Sequence, residues 1–157
     1  KGRKLSEGKE AALLSIGAIG NNGAKAIEQV KQKGFSVAHY DMVFLKPIDE
    51  ELLHEVCSRF NTVITLENGV VNGGLGSAVS EFLTDHHYSN VTLHRIGIPD
   101  TFVTHGTINE LQRITGIDVE SIRLQIESWL PGNRNEDSTS RLTYQSPLPV
   151  ESEKRSK

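Results

Sequence analysis

The chain has one cysteine, one methionine and one tryptophan among 157 residues, and aromatic side chains make up only 6% of it. A single thiol excludes a disulfide framework and a cysteine-rich zinc centre. Cys57 follows Val56 on a segment that reads as a helix, with no neighbouring base to activate it, so it is read as a buried, inert thiol. No apolar run approaches the roughly 20 residues that a membrane-spanning helix needs, and no signal peptide opens the sequence. Charge bias is missing too. The 17 Lys and Arg against 20 Asp and Glu leave a formal net charge of −3 with both signs interspersed, which gives no electrostatic footprint for nucleic acid or an anionic membrane. The 6 histidines show no metal-ligand spacing such as H-E-x-x-H. Nor is there a Walker loop, a G-x-S-x-G elbow or a Cys-His arrangement.

What is present is enough apolar residue, 36%, to bury one core, and we expect a soluble globular protein of cytosolic type. The only methionine is Met42 and the sequence starts at Lys1, so we expect a piece of a longer polypeptide. Ala11 to Ile16 reads as a fully buried strand ending at Gly17. Gly17, Gly20 and Gly23 lead into a helix over Ala24 to Lys33, stopped by Gly34. Ser36 to Asp41 is the next strand, and Asp49 caps a helix reaching Arg59. Thr62 to Leu66 reads as a strand, Ser77 to Thr84 as a helix with Ser77 as its N-cap, and Val91 to Ile96 as a further strand. Beyond it, Ile98 to Phe102 reads as a turn and Ile108 to Thr115 as a short helix ending at Gly116; Asp118 caps a last helix carrying Ile122, Ile126, Trp129 and Leu130. Strand and helix alternate, which predicts an α/β domain of the doubly wound class with a mainly parallel sheet over residues 1–130. From residue 131 the composition turns polar and proline-bearing, and 131–157 reads as a disordered or loosely docked tail.

The chemical candidates lie in the turns. The segment from Glu67 to Leu83 passes through Gly73, Gly74, Gly76 and Ser77 into an amphipathic helix. Such a corner serves close helix-strand packing, or it offers free N–H groups to an anion. Gly17, Gly20 and Gly23, with Asp41 about 20 residues on, imitate a dinucleotide fingerprint, but with G-x-x-G-x-x-G spacing. His105 follows the last strand, and Glu67 ends an earlier one, so both are candidates for a polar cluster at one sheet edge. Together they make no complete catalytic set.

As a group the motifs resemble a known family. Asp41-Met42-Val43-Phe44-Leu45-Lys46-Pro47-Ile48-Asp49, then the Glu67 to Phe82 glycine turn and helix, then Gly97-Ile98-Pro99-Asp100-Thr101-Phe102-Val103-Thr104-His105-Gly106 occur in order, after a Gly2-Arg3-Lys4-Leu5 lead-in. This set is similar to the C-terminal domain of the 1-deoxy-D-xylulose-5-phosphate synthases, in the wider transketolase C-terminal-domain group. The resemblance runs from about Lys1 to Leu130. It implies a three-layer α/β/α sandwich whose five-stranded, mainly parallel sheet has one antiparallel strand, near Lys4. It further implies a thiamine-diphosphate- and magnesium-dependent transferase that condenses pyruvate with glyceraldehyde 3-phosphate and releases carbon dioxide, supplying isoprenoid, thiamine and pyridoxal synthesis. In that family the diphosphate and Mg2+ sit in an N-terminal domain and the activating glutamate in a middle domain. No catalytic, cofactor-binding or metal-binding residue is therefore expected here, and the isolated chain is expected to be inactive. Glu67, Gly73, Gly74, Gly76, Ser77 and His105 match motif positions and imply inter-domain packing or support of the active-site surroundings. The implied partners are the enzyme's own N-terminal and middle domains and a second copy in a homodimer, in a bacterial cytoplasm or a plastid. Val43 departs from the family pattern, standing where many relatives carry arginine. Two other readings stay open: a nicotinamide-binding oxidoreductase domain built on Gly17, Gly20, Gly23 and Asp41, and an assembly domain of the oxo-acid dehydrogenase β-subunit type, meeting its partner through the Trp129 helix and the His105 loop.

Overall fold

The computed structural model describes residues 1–99 and 106–131. In chain order the elements are β1 (Arg3–Ser6), β2 (Ala11–Ile16), α1 (Gly20–Gln32), β3 (Val37–Asp41), α2 (Glu50–Arg59), β4 (Thr62–Val70), α3 (Leu75–Asp85), β5 (Thr92–Ile98), α4 (Ile108–Thr115) and α5 (Val119–Trp129). They build a 5-stranded sheet in the order β1-β3-β2-β4-β5. β2, β3, β4 and β5 run parallel, while β1 pairs antiparallel with β3 through Arg3↔Asp41 and Lys4↔Tyr40. The doubly wound expectation holds, and so does the antiparallel strand implied near Lys4. Periodicity could not see β1 because all of its residues are exposed: an edge strand with no buried face carries no apolar alternation.

β2 is buried on both sides, which is why its sequence is a continuous apolar run. Leu13 faces the layer of α1 and α5, where it joins Val30, Ile64, Leu66, Ile122 and Ile126. Leu14 faces the layer of α2 and α3, with Tyr40, Leu53, Val79 and Phe82. Each such leucine, 0% exposed, contributes about 1.5 to 3 kcal/mol by leaving water. The result is the three-layer α/β/α sandwich.

Element boundaries differ from expectation where packing overrides local propensity. α1 starts at Gly20, ahead of the expected Ala24, so two glycines lie inside a helix rather than in the turn before it. A Cβ at Gly20 would meet Ser15 Oγ at 2.8 Å, and one at Gly23 would meet Leu66 and Leu13 at 2.8 and 2.9 Å. Those glycines let α1 lie directly on the sheet, which outweighs their cost of about 1 kcal/mol each in helix propensity. β4 continues past Leu66 to Val70, and β5 reaches Ile98, one strand position into the expected turn. The α2 cap is as expected: Asp49 accepts from Leu52 N–H at 3.1 Å, and also from Gly2 N–H at 2.8 Å. These backbone donors hold its carboxyl below the ordinary carboxylate range. α4 spans Ile108–Thr115 as expected and ends at a left-handed Gly116, φ 76°. Cys57 is 4% exposed, and burial pushes its thiol up to about 11, in keeping with an inert thiol. Of the expected tail, residues 132–157 lie outside the described residues.

At the sheet centre His39, 1% exposed, bonds Ser15 Oγ through Nε2 at 2.8 Å. Burial pushes its protonation below the ordinary histidine range, and the nearby Asp41 charge opposes this only in part. Burial lowers His94 in the same direction. Since the unfolded chain takes up protons first, near pH 6.5, stability is fully present above that value and is lost as pH falls toward the lower folded-state values. Urea midpoints should therefore drop between pH 7.5 and 5.5. His39→Gln should flatten that slope while leaving the part due to His94; a slope unchanged by the substitution would exclude His39 as its source.

Candidate functional site

In an open parallel sheet, functional groups gather at the carboxyl ends of the strands, where neighbouring connections leave in opposite directions. Here that place lies between β2 and β4, whose ends register as Ile16↔Glu67. α1 leaves β2 toward one face, and α3 leaves β4 toward the other.

Glu67 is the centre of this edge. Its side chain is 5% exposed and turns back under the glycine turn. Oε2 accepts from Leu75 N–H and Oε1 from Gly76 N–H, both at 2.9 Å. One buried carboxylate thus satisfies two of the amides that an α-helix leaves unpaired at its start, and places negative charge at the positive end of the α3 dipole. The glycines are the geometric price of that arrangement. A Cβ at Gly74 would lie 1.8 Å from Glu67 Oε2, and one at Gly97 on β5 would lie 3.1 Å from Glu67 Cγ. Gly76 leaves room for the stem of Arg95, whose Cδ would be 2.6 Å from a Cβ there. Gly73 takes the left-handed conformation, φ 82°, that the turn needs.

One expectation is corrected, and one of the two open readings of the glycine turn falls. Ser77 is not the N-cap of α3: the helix begins at Leu75 after Gly74, and Ser77 Oγ instead accepts from Gly73 N–H at 2.9 Å and donates to Val71 O at 3.3 Å. It ties the turn shut one step back from the helix start. The α3 N-terminus is also not open to an anion, because this chain's own carboxylate already fills it. Of the two readings of the glycine turn, packing holds. Gly97 was missed as a partner of Glu67, although a lone glycine in a β-branched strand signals close approach of another group.

His105 lies outside the described residues, so the expected cluster with Glu67 has no geometry here; both Glu67 oxygens are in any case engaged by α3. The apparent dinucleotide fingerprint is accounted for by packing. Gly20 and Gly23 rest on the sheet, and the Asp41 carboxylate is taken by Arg3 at 3.0 Å and by Val43 N–H at 3.1 Å. Among the described residues no group of three or more His, Cys, Asp or Glu side chains could hold a metal ion. His94 stacks flat on Trp129, with centroids 4.3 Å apart, and His54 bonds Tyr88 Oη through Nδ1 at 2.7 Å. The described side chains act as caps, clasps and packing surfaces.

Glu67→Ala should lower unfolding stability by about 2 to 4 kcal/mol, since it strands two helix-start amides. Glu67→Gln keeps one acceptor oxygen and should cost less. Gly74→Ala should destabilise the native chain but much less the Glu67→Ala background, because the carboxylate it strikes is gone. Additive losses in a denaturant double-mutant cycle would contradict this geometry.

Known proteins match this arrangement. The profile of the transketolase C-terminal domain family covers residues 1–122. The 1-deoxy-D-xylulose-5-phosphate synthase of Parabacteroides distasonis is 54% identical over 127 residues, 81% of this chain and 20% of that protein. The enzyme of the same name from Halalkalibacterium halodurans is 38% identical over 127 residues, again 81% of this chain and 20% of that protein. The chain thus spans about a fifth of the length of the curated relatives it matches. A solved split-gene transketolase, described as an inactive β4 tetramer, superposes with a TM-score of 0.75 at 30% identity, covering 82% of this chain and 41% of its own. With the sheet order, the antiparallel β1 and the glycine turn all in place, the chain belongs to the transketolase C-terminal domain family.

Proposed function

We propose that this chain is the C-terminal domain of a 1-deoxy-D-xylulose-5-phosphate synthase, a cytoplasmic transferase that condenses pyruvate with glyceraldehyde 3-phosphate and releases carbon dioxide. The observation that carries this reading is the 54% identity to a synthase of that name over 127 residues, a stretch that includes most of the folded domain. Within the enzyme the domain's work is structural: it packs on the preceding domains and supports a homodimer. It supplies precursors of isoprenoids, thiamine and pyridoxal only as part of the whole.

The reaction calls for thiamine diphosphate and Mg2+, and the described residues do not fit either. A diphosphate wants free helix-start amides and positive charge, yet Leu75 and Gly76 N–H already point at the Glu67 carboxylate, which would repel it. Magnesium wants a cluster of oxygen ligands, and no acidic group of that size occurs among the described residues. Both cofactors belong to other domains in this reading, and no chemical step runs through the residues described here.

The test is to express the complete reading frame that contains this chain beside the 157-residue chain alone. The complete protein should turn pyruvate and glyceraldehyde 3-phosphate into the deoxysugar phosphate and carbon dioxide, with thiamine diphosphate and Mg2+ required. The 157-residue chain should show no turnover and no saturable thiamine diphosphate binding in calorimetry. Tight binding by the short chain, or nicotinamide binding lost on Asp41→Ala, would overturn the proposal.

A further inference from the structure

Among the described residues six large hydrophobic side chains are exposed, and five of them share one edge. Val43 and Phe44, 37% and 60% exposed, follow the carboxyl end of β3; Val70, 44% exposed, ends β4. Ile108 and Ile114, 74% and 53% exposed, lie on α4. That helix sits over the first turn of α1, where Asn22 Nδ2 donates to Gln112 Oε1 at 3.2 Å and to Ile117 O at 3.1 Å. Isolated exposed apolar residues are ordinary; five gathered along one edge of one sheet mark a contact face.

The backbone at this edge is held in an unfavourable state. Val43 has φ 61°, which a β-branched residue rarely adopts, and Phe44 N–H donates to Met42 O at 2.6 Å across it, closing a three-residue turn. Met42 below is 1% exposed, and Val43 N–H is pinned by Asp41 Oδ1 at 3.1 Å. A buried anchor on one side and a clasp on the other thus hold the Phe44 ring out in solvent. Strain of this kind persists where the surroundings enforce it, and it gathers at clamps and contacts.

The path of the chain says what covers this face. Because β1 runs antiparallel to β3 with Arg3 opposite Asp41, Lys1 and Gly2 lie at the carboxyl end of β3, beside Val43. Gly2 is fixed there by its bond to Asp49 Oδ2 at 2.8 Å, and Lys1 by an ion pair with Glu51 at 2.6 Å. We propose that the apolar edge formed by Val43, Phe44, Val70 and α4 docks against the part of the synthase polypeptide that precedes Lys1. This rests on the function proposed above, and names the face by which the domain meets the rest of that enzyme. A tethered partner emerging beside the face acts at an effective concentration in the millimolar range, which favours it over a second, untethered copy.

Thiol labelling of the complete enzyme tests this. Single cysteines are placed by Phe44→Cys and Ile108→Cys on the edge, and by Lys31→Cys on the exposed last turn of α1 as a solvent reference. All three replace exposed side chains, so folding should survive; unchanged urea midpoints would confirm it. The edge cysteines should label at least about tenfold more slowly than the reference at every protein concentration. Equal rates would overturn the proposal, as would slow labelling that recovers on dilution, which would make a second copy the occupant. Synthase activity measured on the same samples separates the two ideas. An active enzyme with an open edge sinks only the docking face, whereas a protected edge without synthase activity sinks only the assigned reaction.

Discussion

The two hydrogen bonds from Glu67 to the start of α3 are the constraint around which this edge of the domain is built. A carboxylate buried to 5% exposure survives only if its charge is met, and here it is met by two backbone amides and the helix dipole. That requirement fixes where α3 begins and, through its direction, which face of β4 and β5 it covers. It also shapes composition around it: a Cβ at position 74 would overlap the carboxylate at 1.8 Å, and one at position 97 would crowd its stem at 3.1 Å and Val71 at 3.0 Å. A single acidic residue therefore accounts for the glycine at position 74 and adds to the crowding that favours one at position 97.

The same device recurs around the fold. Asp49 caps α2 and reaches across to Gly2, joining the helix to the edge strand β1. Thr107 and Glu110 close a capping box on α4, and Asp118 caps α5 by accepting from Ser121 N–H at 3.4 Å. The start of α1 has no side-chain cap; its first N–H groups are met by backbone oxygens of the preceding turn, Gly20 N–H by Gly17 O and Asn21 N–H by Ala18 O, both at 3.1 Å, while Asn22 Nδ2 ties the helix to Gln112 of α4 and to Ile117 O. Helix starts that other α/β domains leave open for phosphate are, in this chain, closed by its own oxygen atoms or covered by its own elements.

Much of this was legible in the sequence, and what was not has definite physical causes. The alternation of Ala11 to Ile16, Ser36 to Asp41, Thr62 to Leu66 and Val91 to Ile96 with helical segments carried the sheet: the inner strand β2, buried on both faces, writes itself as an apolar run, while the edge strand β5 is read from its β-branched residues and its place in the alternation. β1 wrote nothing, since all of its residues are exposed; only the likeness to a family supplied it. Gly20 and Gly23 read as a loop because propensity penalises glycine in a helix, whereas the contacts with Ser15, Leu13 and Leu66 reward its missing side chain. Ser77 had the right residue type for an N-cap. The true cap, Glu67, lies eight residues before Leu75 on another element, and no local pattern announces a cap that arrives through the fold.

A division of labour follows from these contacts. Among the described residues at the carboxyl edge, Glu67 is turned inward onto backbone amides and Asp41 is taken by Arg3 of the neighbouring strand and by Val43 N–H. Satisfied in this way, they offer a ligand neither free charge nor free N–H groups. Among the described residues the large apolar side chains left outward there are Val43, Val70, Phe44, held out by a strained turn, and the isoleucines of α4, beside exposed polar groups such as Lys46 and Asn68. Apolar surface contributes when it meets other apolar surface and leaves water, at about 25 cal/mol per Å2, and it gives little grip on a small, highly charged substrate. The apolar side chains described at this edge are thus better suited to another protein surface than to a phosphate.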